Sequence, residues 1–170
     1  MRNILISGQK QTGKSTLLTD ILEMINCEYV GYRTYPYEDV EIGKTYYLED
    51  ISSLERQMIS YFDGSGIKGI PETFTDLGVR CLKNALESDC CVVVLDELGR
   101  FEQNSIEFIR YVNQLLDSHH IVFAVLKDEP IPYIEKIKTR QDCLLIDLNQ
   151  ISYNQAKQRI ISEFYTYEGR

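Results

Sequence analysis

Residues 8–15 read GQKQTGKS and match the pattern G-x-x-x-x-G-K-[ST] at every fixed position. Glycines at those places let the backbone curl so that successive N–H groups point at phosphate oxygens, and a helix starting here adds its positive dipole end. Lys14 has the reach to meet the β- and γ-phosphates, and the Ser15 hydroxyl can ligate Mg²⁺. The stretch therefore predicts a phosphate-binding loop. The residues expected to contact a nucleotide are Gly8, Gln9, Lys10, Gln11, Thr12, Gly13, Lys14, Ser15 and Thr16.

The sequence on both sides of this loop has the pattern that phosphate binding needs. A chain of this length would match the motif by accident with a probability on the order of 0.5%. The motif follows residues 3–7, NILIS, an apolar run typical of a buried strand, and it opens a stretch at 13–25 whose apolar residues recur with helical spacing. A strand, a glycine loop and a helix in this order favour nucleotide binding over a chance match.

A second element supplies two adjacent acids. Residues 92–97 read VVVLDE, an apolar run that ends in Asp96 and Glu97. The carboxyl end of a buried strand lies at the edge of an open α/β sheet where ligands bind. We assign Asp96 to the metal, mostly through water, and Glu97 to the water that attacks the γ-phosphorus. Alone, this pattern is also that of an ordinary acidic strand end; together with the loop at 8–15 it predicts a magnesium-dependent site.

Short apolar runs alternate with helical patterns along the whole chain. This alternation predicts one α/β domain over residues 1–170, with a mostly parallel sheet flanked by helices. Strands are predicted at 3–7, 28–35, 44–48, 90–95, 121–126 and 143–148, and helices at 13–25, 71–88, 103–117, 130–138 and from 152 onward.

The segment after the second strand is harder to interpret. Residues 36–43 predict a turn, so that the strands on either side form a β-hairpin at the edge of the sheet. Residues 54–62 fit either a strand or a helix. Gly64, Gly66 and Gly69 indicate a loop, and this loop is a candidate mobile element.

Composition limits the class of partner. The 170 residues contain 18 Lys and Arg against 26 Asp and Glu, a formal net charge of −8, and such a surface repels nucleic-acid backbones. No apolar run approaches the length that spans a bilayer, and the apolar N-terminal run is too short for a signal peptide. The five cysteines, an odd number without a CxxC pair, are typical of buried thiols in a reducing compartment. We therefore expect a cytoplasmic protein that binds neither nucleic acid nor membrane.

Three segments together resemble one family. Residues 8–17 contain the glycine loop, residues 31–34 read GYRT, and residues 95–102 read LDELGRFE, followed by Ser105 and Phe108. These segments resemble the small P-loop nucleoside-triphosphatase family, known from thermophile enzymes and from the human cancer-related nucleoside-triphosphatase. The third segment is the most specific of the three because it extends well past a strand-end acid.

The resemblance implies a fold and an activity. The fold is a P-loop NTPase with a RecA-like sheet of order 5-1-4-3-2, in which residues 121–126 lie between the loop strand and the Asp96 strand. The activity is Mg²⁺-dependent hydrolysis of nucleoside triphosphates such as ATP and GTP to diphosphates, with loose base selectivity. The chain also departs from the family pattern: residues 9–12 read QKQT in place of the usual glycine-rich run, Arg100 replaces a lysine, and Gln155 replaces an arginine.

Several basic residues are candidates for the γ-phosphate. Arg100 follows Glu97 closely and is counted with Glu97 and Lys14 among the predicted catalytic residues, because an arginine there can stabilise charge on the phosphate; the alternative is a surface arginine. Arg33, near the end of the second strand, is a weaker candidate of the same kind. Lys127 ends a predicted central strand, and we interpret it as an ordinary charge rather than as a phosphate sensor.

The aromatic and histidine residues give no clear functional signal. Six of the 12 tyrosines lie between residues 29 and 47, which fits either stacking on a base or cross-strand packing in the hairpin. His119 and His120 have no metal-ligand partners at useful spacing, so we predict no zinc site.

Two other functions stay open beside hydrolysis. A small-molecule or nucleotide kinase would use the same loop, with Glu97 deprotonating a hydroxyl instead of water, although no arginine-rich lid is visible. A slow nucleotide-dependent switch would bind a partner protein, with the glycines at 64–69 in its moving part.

Overall fold

The computed structural model describes residues 3–39 and 43–168. In chain order the elements are β1 (Asn3–Ser7), α1 (Lys14–Ile25), β2 (Tyr29–Asp39), β3 (Gly43–Asp50), β4 (Arg56–Phe62), β5 (Ile67–Gly69), α2 (Pro71–Thr73), α3 (Val79–Glu87), β6 (Val92–Leu98), α4 (Ile106–Asp117), β7 (Ile121–Leu126), α5 (Pro132–Lys138), β8 (Cys143–Asp147) and α6 (Tyr153–Glu168). A π-helical segment, Phe74–Gly78, joins α2 to α3.

The strands of the described ranges form an eight-stranded sheet with the order β5-β4-β3-β2-β6-β7-β1-β8. Five of them, β8, β1, β7, β6 and β2, are parallel neighbours, while β2, β3, β4 and β5 pair antiparallel. The parallel half has the order 5-1-4-3-2, and β7 lies between β1 and β6, as the family resemblance implied. The expected α/β fold is confirmed.

The central parallel strands are buried on both faces because helices cover each side. On β6, Val93 and Leu95 pack into a cluster with α3 and α4, while Val92 and Val94 pack into a second cluster with α1 and α6. All six residues of β7 are buried. These strands are rigidly held, so the residues that leave their carboxyl ends have fixed positions.

The antiparallel half differs from the prediction. The hairpin of β2 and β3 does not end the sheet, because β4 and β5 extend it by two strands. β2 continues through Asp39 instead of turning at residue 36, and the predicted turn's residues 40–42 lie outside the described residues. The predicted loop at 64–69 is a tight turn followed by β5. The turn forms because the Asp63 carboxylate accepts the N–H groups of Ser65 and Gly66.

Two helices begin later than predicted. The helix expected from 103 begins at Ile106, because the preceding residues form a compact loop in which the Ser105 N–H donates to the Glu102 carbonyl at 2.8 Å. The helix expected from 130 begins at Pro132, a residue that suits the first helical position.

The cysteines are also less buried than predicted. Cys81 and Cys143 are buried, Cys27 and Cys90 are half-buried, and Cys91 is exposed.

None of the helices in the described ranges is long and apolar enough to cross a bilayer.

Candidate functional site

The glycine-rich loop between β1 and α1 curls around the side chain of Lys14. The Lys14 Nζ donates to the carbonyl oxygens of Gly8 at 2.7 Å and Gln9 at 2.8 Å. The curl depends on left-handed backbone at Gln11 (φ 67°) and Gly13 (φ 86°). The loop is anchored from outside by Asn149, whose Oδ1 accepts the Gln9 N–H at 3.0 Å. The result is a closed turn of backbone with an ammonium at its centre.

The carboxyl end of β6 brings Asp96 to the first turn of α1. The Ser15 hydroxyl donates to Asp96 Oδ1 at 3.0 Å, across 81 residues of sequence. Asp96 is only 6% exposed. Burial raises the pKa of Asp96 to about 6, while the hydrogen bond from Ser15 acts in the opposite direction. Burial therefore opposes ionisation of this carboxyl group, and the hydrogen bond from Ser15 favours it.

Glu97 is held at the same edge by its main chain and by its side chain. The pairing of β6 with β7 shifts register between Asp96 and Leu98, and the peptide bond before Glu97 is cis. The Tyr32 hydroxyl donates to the Glu97 carbonyl at 3.2 Å, and Lys127 Nζ forms an ion pair with Glu97 Oε1 at 2.8 Å. The Glu97 side chain remains 25% exposed.

The loop after β6 is fixed by the buried carboxylate of Glu102. This carboxylate accepts the Gly99 N–H and, at 2.5 Å, the hydroxyl of Tyr133 on α5. Burial raises the pKa of Glu102, against these two hydrogen bonds. The loop that carries Arg100 is therefore tied to the body of the protein.

Two cavities meet at this edge of the sheet. The first, of about 220 Å³, runs from the loop toward the antiparallel half, and the second, of about 180 Å³, lies on the side of β7. Both are lined by Lys10, Glu97 and Lys127. The first is also lined by Ser15, Thr34, Pro36, Tyr46, Ile59, Phe74, Gly99, Arg100, Phe101 and Glu102. The glycine-rich loop and Glu97 thus border both cavities, while Asp96 lines neither and is joined to the loop by its hydrogen bond with Ser15.

Of the twelve predicted catalytic, binding and metal residues, half line these cavities: Gln9, Lys10, Lys14, Ser15, Glu97 and Arg100. The others line neither cavity: Gly8, Gln11, Thr12, Gly13, Thr16 and Asp96. Arg100 is exposed on the wall of the first cavity, with its guanidinium carbon 5.3 Å from the centre of the Phe101 ring. Thr16 is exposed on α1. Arg33 stays within β2 and donates to the hydroxyl of Tyr29, a neighbour on its own strand, at 3.0 Å. Of the six clustered tyrosines, Tyr46 lines the first cavity.

Three residues that contact the site were given no role there by the sequence. Lys127 pairs with Glu97, Asn149 anchors the loop, and Glu102 fixes the loop after β6. Lys127, a charge at the end of a buried strand, and Glu102, the last residue of the family-like segment 95–102, had positions that pointed here, whereas Asn149 did not. His120, by contrast, is a structural residue, with Nδ1 2.8 Å from the Cys90 carbonyl oxygen.

Gln11 is expected to be a strained position. A non-glycine residue in the left-handed region costs roughly 1–2 kcal/mol, and the Gln11 side chain is exposed, so its loss removes no packing. Gln11→Gly should raise the free energy of unfolding by about 1 kcal/mol in urea denaturation. Gln9→Gly, at an exposed loop residue without a positive φ, is the matched control and should lower it by several tenths of a kcal/mol. A loss of stability in Gln11→Gly would contradict the strain.

The glycine loop after β1 opens a helix, and acids lie at the end of β6, a parallel strand separated from β1 by β7. This arrangement defines a P-loop α/β protein. A family model described as NTPase matches residues 3–161. The chain is 28% identical over 166 residues to nucleoside-triphosphatase THEP1 of Thermotoga sp., covering 94% of this chain and 93% of the relative. It is 24% identical to the mouse cancer-related nucleoside-triphosphatase homolog, covering 95% of each chain.

The fold comparison agrees with the sequence comparison. The crystal structure of THEP1 from Aquifex aeolicus matches with a TM-score of 0.74 and 21% identity, over 95% of this chain and 98% of that chain. The chain belongs to the NTPase family, because the family model covers nearly its whole length. The resemblance noted in the sequence is confirmed.

Proposed function

We propose that this protein hydrolyses Mg²⁺-bound nucleoside triphosphates, ATP and GTP among them, to the diphosphate and phosphate. The observation that carries the proposal is the 3.0 Å contact between Ser15 Oγ and Asp96 Oδ1, which joins the first turn of α1, after the glycine-rich loop, to the acidic end of β6. The names of the relatives, nucleoside-triphosphatases, support the same reaction. Loose base selectivity is part of the proposal because the contacts that we assign all fall on the phosphates.

The donor atoms at Ser15 and Asp96 fit magnesium. A hydroxyl and a carboxylate are hard oxygen donors, and Mg²⁺ is usually held by one or two protein groups together with phosphate oxygens and water. Among residues 3–39 and 43–168 no cluster of three or more His, Cys, Asp or Glu side chains forms a metal cage, which agrees with this sparse mode of binding. When bound, the ion would neutralise charge on the β- and γ-phosphate oxygens.

The chemistry that we assign to the chain is positioning, charge stabilisation and one proton transfer. The loop N–H groups and Lys14 bind the β- and γ-phosphates. The Lys14 ammonium is already held at the centre of the loop by the carbonyl groups of Gly8 and Gln9. The Glu97 carboxylate accepts a proton from the water as the water oxygen attacks the γ-phosphorus and the bond to the leaving diphosphate breaks. Arg100, on the cavity wall, supplies positive charge to the γ-phosphate.

Phosphate release tests the proposal. The purified protein is mixed with ATP, GTP, CTP or UTP, with and without Mg²⁺, and released phosphate is followed without any acceptor. Turnover with several bases that stops on adding a chelator is the expected result. Absence of phosphate release from every triphosphate would overturn the proposed function.

Lys14→Ala should lower phosphate release by about 10- to 100-fold, because a charge-assisted hydrogen bond to phosphate contributes about 1.5–3 kcal/mol. Lys68→Ala is the control: Lys68 is exposed and pairs with Asp63 at 3.6 Å, outside the site. Its rate should equal that of the wild type. A Lys14→Ala variant with wild-type kinetics would remove the loop from the mechanism.

The first cavity favours phosphoryl transfer to an acceptor as a second candidate function. Its wall contains an apolar part, with Ile59, Phe74 and Phe101, beside the polar and charged residues, and water attack does not need such a part. A small hydroxylated acceptor with an apolar body would fit there, and Glu97 would then deprotonate its hydroxyl. Free phosphate formed without acceptor favours hydrolysis, whereas diphosphate formed only after addition of metabolite mixtures, without matching free phosphate, favours transfer.

A further inference from the structure

Lys127 lines the same cavity as the loop residues Lys10 and Lys14 and the proposed water activator, Glu97. Its N–H donates to the Leu98 carbonyl at 2.9 Å, which fixes the end of β7 beside the register shift in β6. Its side chain runs over Gly99, where an added Cβ would lie 2.9 Å from the Lys127 Cγ. Its ammonium then meets Glu97 Oε1 at 2.8 Å. The absence of a side chain at Gly99 gives the lysine its path to Glu97.

The charges around Lys127 form a mixed cluster. Burial by itself lowers the pKa of Lys127, but the carboxylates of Glu97 and Glu129 outweigh burial, and the net direction is upward. Lys14 is a repulsive neighbour, since Lys127 acts with burial to lower the pKa of Lys14. Two cations that repel each other therefore border one space, and an anion between them would relieve that repulsion.

The ion pair between Lys127 and Glu97 contributes little to the stability of the fold. The side chains of Lys127 and Glu97 are 34% and 25% exposed, and partly exposed pairs of this kind contribute about 0–1 kcal/mol to stability. Because its contribution to stability is so small, the Lys127–Glu97 ion pair can be replaced by an ion pair of Lys127 with another anion at a low cost in free energy. Lys127 also lines both cavities, so its ammonium has access to a ligand on either side of Glu97.

We propose that Lys127 is a positioning residue that detects the γ-phosphate: its ammonium leaves the Glu97 carboxylate for a γ-phosphate oxygen, and Glu97 is thereby released to bind the attacking water. This inference rests on the proposed function. It has the consequence that a diphosphate, which lacks the γ-phosphate, leaves the Lys127–Glu97 pair in place. The binding affinity for a triphosphate should therefore depend on Lys127 more than the binding affinity for a diphosphate does.

Calorimetric titration with Mg²⁺ and either ADP or the β,γ-imido analogue of ATP tests this difference. Lys127→Gln should bind the imido analogue about 10- to 100-fold more weakly than the wild type, as expected for loss of one charge-assisted hydrogen bond. Its affinity for ADP should change less than about twofold. Lys127→Arg, which keeps the charge, should recover part of the lost affinity.

Lys157→Gln is the matched control. Lys157 pairs with Asp20 at the same distance, 2.8 Å, with side chains 28% and 36% exposed, and this pair joins α6 to α1 away from the cavities. Its affinities for both ligands should equal those of the wild type. Equal losses for the two ligands in Lys127→Gln, or no loss for the imido analogue, would overturn the inference.

A second variant keeps the inference testable if Lys127→Gln does not fold. Glu97→Gln removes the carboxylate that competes for Lys127. The affinity of this variant for the imido analogue should therefore rise severalfold, while its affinity for ADP stays unchanged. No rise in affinity for the imido analogue would also overturn the inference. Because these readouts are binding constants, they can be measured even if the wild type releases no phosphate. Failure of the proposed function and failure of this inference are therefore distinguishable.

Discussion

Gly31→Ala is expected to destabilise the protein by more than about 4 kcal/mol, or to prevent folding. Gly31 lies in β2 opposite Val94 of β6, with φ 112°. A Cβ at this position would lie 2.1 Å from the Val94 carbonyl oxygen and 3.0 Å from its nitrogen. These atoms belong to the backbone of a buried central strand, so the neighbour cannot move aside as a flexible side chain would.

The effect of this substitution reaches the site. The Gly31 carbonyl accepts the Ile51 N–H at 2.9 Å, so separating β2 from β6 also disturbs the end of β3. β6 carries Asp96 and Glu97 at its carboxyl end. Since small domains have a total stability of about 5–15 kcal/mol, a loss of this size removes a large share of the folded population.

Urea denaturation followed by circular dichroism measures the change, with Gly66→Ala as the control. Gly66 has no atom within 4 Å of an added Cβ and no positive φ, so its substitution should change stability by less than about 0.5 kcal/mol. If the free energy of unfolding of Gly31→Ala lies within about 1 kcal/mol of the wild-type value, then β2 and β6 are not packed as closely as described.

The parts of the fold that the sequence predicted are those that leave a local pattern. The loop at 8–15 has fixed residues at fixed spacing, and the acids of β6 follow an apolar run that is buried on both faces. Both patterns reflect short-range requirements, namely backbone curvature around phosphate and complete burial of a strand. The strand order came from the resemblance to the family, since periodicity alone does not rank parallel strands.

The parts that were missed depend on contacts between distant segments. The antiparallel half mixes exposed and buried aromatic residues, as in the 5.4 Å contact of Tyr37 with Tyr47, and its pairing is decided across strands rather than along one. Lys127 meets Glu97 only because β7 lies beside β6, and Asn149 meets the loop only because β8 lies beside β1. No spacing in the sequence encodes these two neighbours of the site.

Glu97→Gln is expected to lower the rate of phosphate release by about 10²–10⁴-fold, the usual contribution of a general base. The substitution keeps the shape of the side chain and removes its ability to take a proton from water. The Tyr32 hydrogen bond goes to the Glu97 carbonyl, which glutamine also provides, so the main chain should stay in place. The loop and Lys14 are untouched, and the variant should therefore still bind the triphosphate.

Single-turnover phosphate release and equilibrium binding, both at saturating Mg²⁺, separate the two roles that an acid at this edge can have. Loss of a metal ligand would be offset by excess Mg²⁺, whereas loss of the proton acceptor would not, so a defect that persists at saturation assigns the proton transfer to Glu97 and leaves Asp96 with the metal. Glu107→Gln, on the exposed face of α4 where Glu107 pairs with Arg110 at 3.1 Å, should release phosphate at the wild-type rate. A Glu97→Gln variant that matches this control would mean that water is activated by another group, and the assignment of Glu97 would have to be abandoned while the phosphate-binding loop stands.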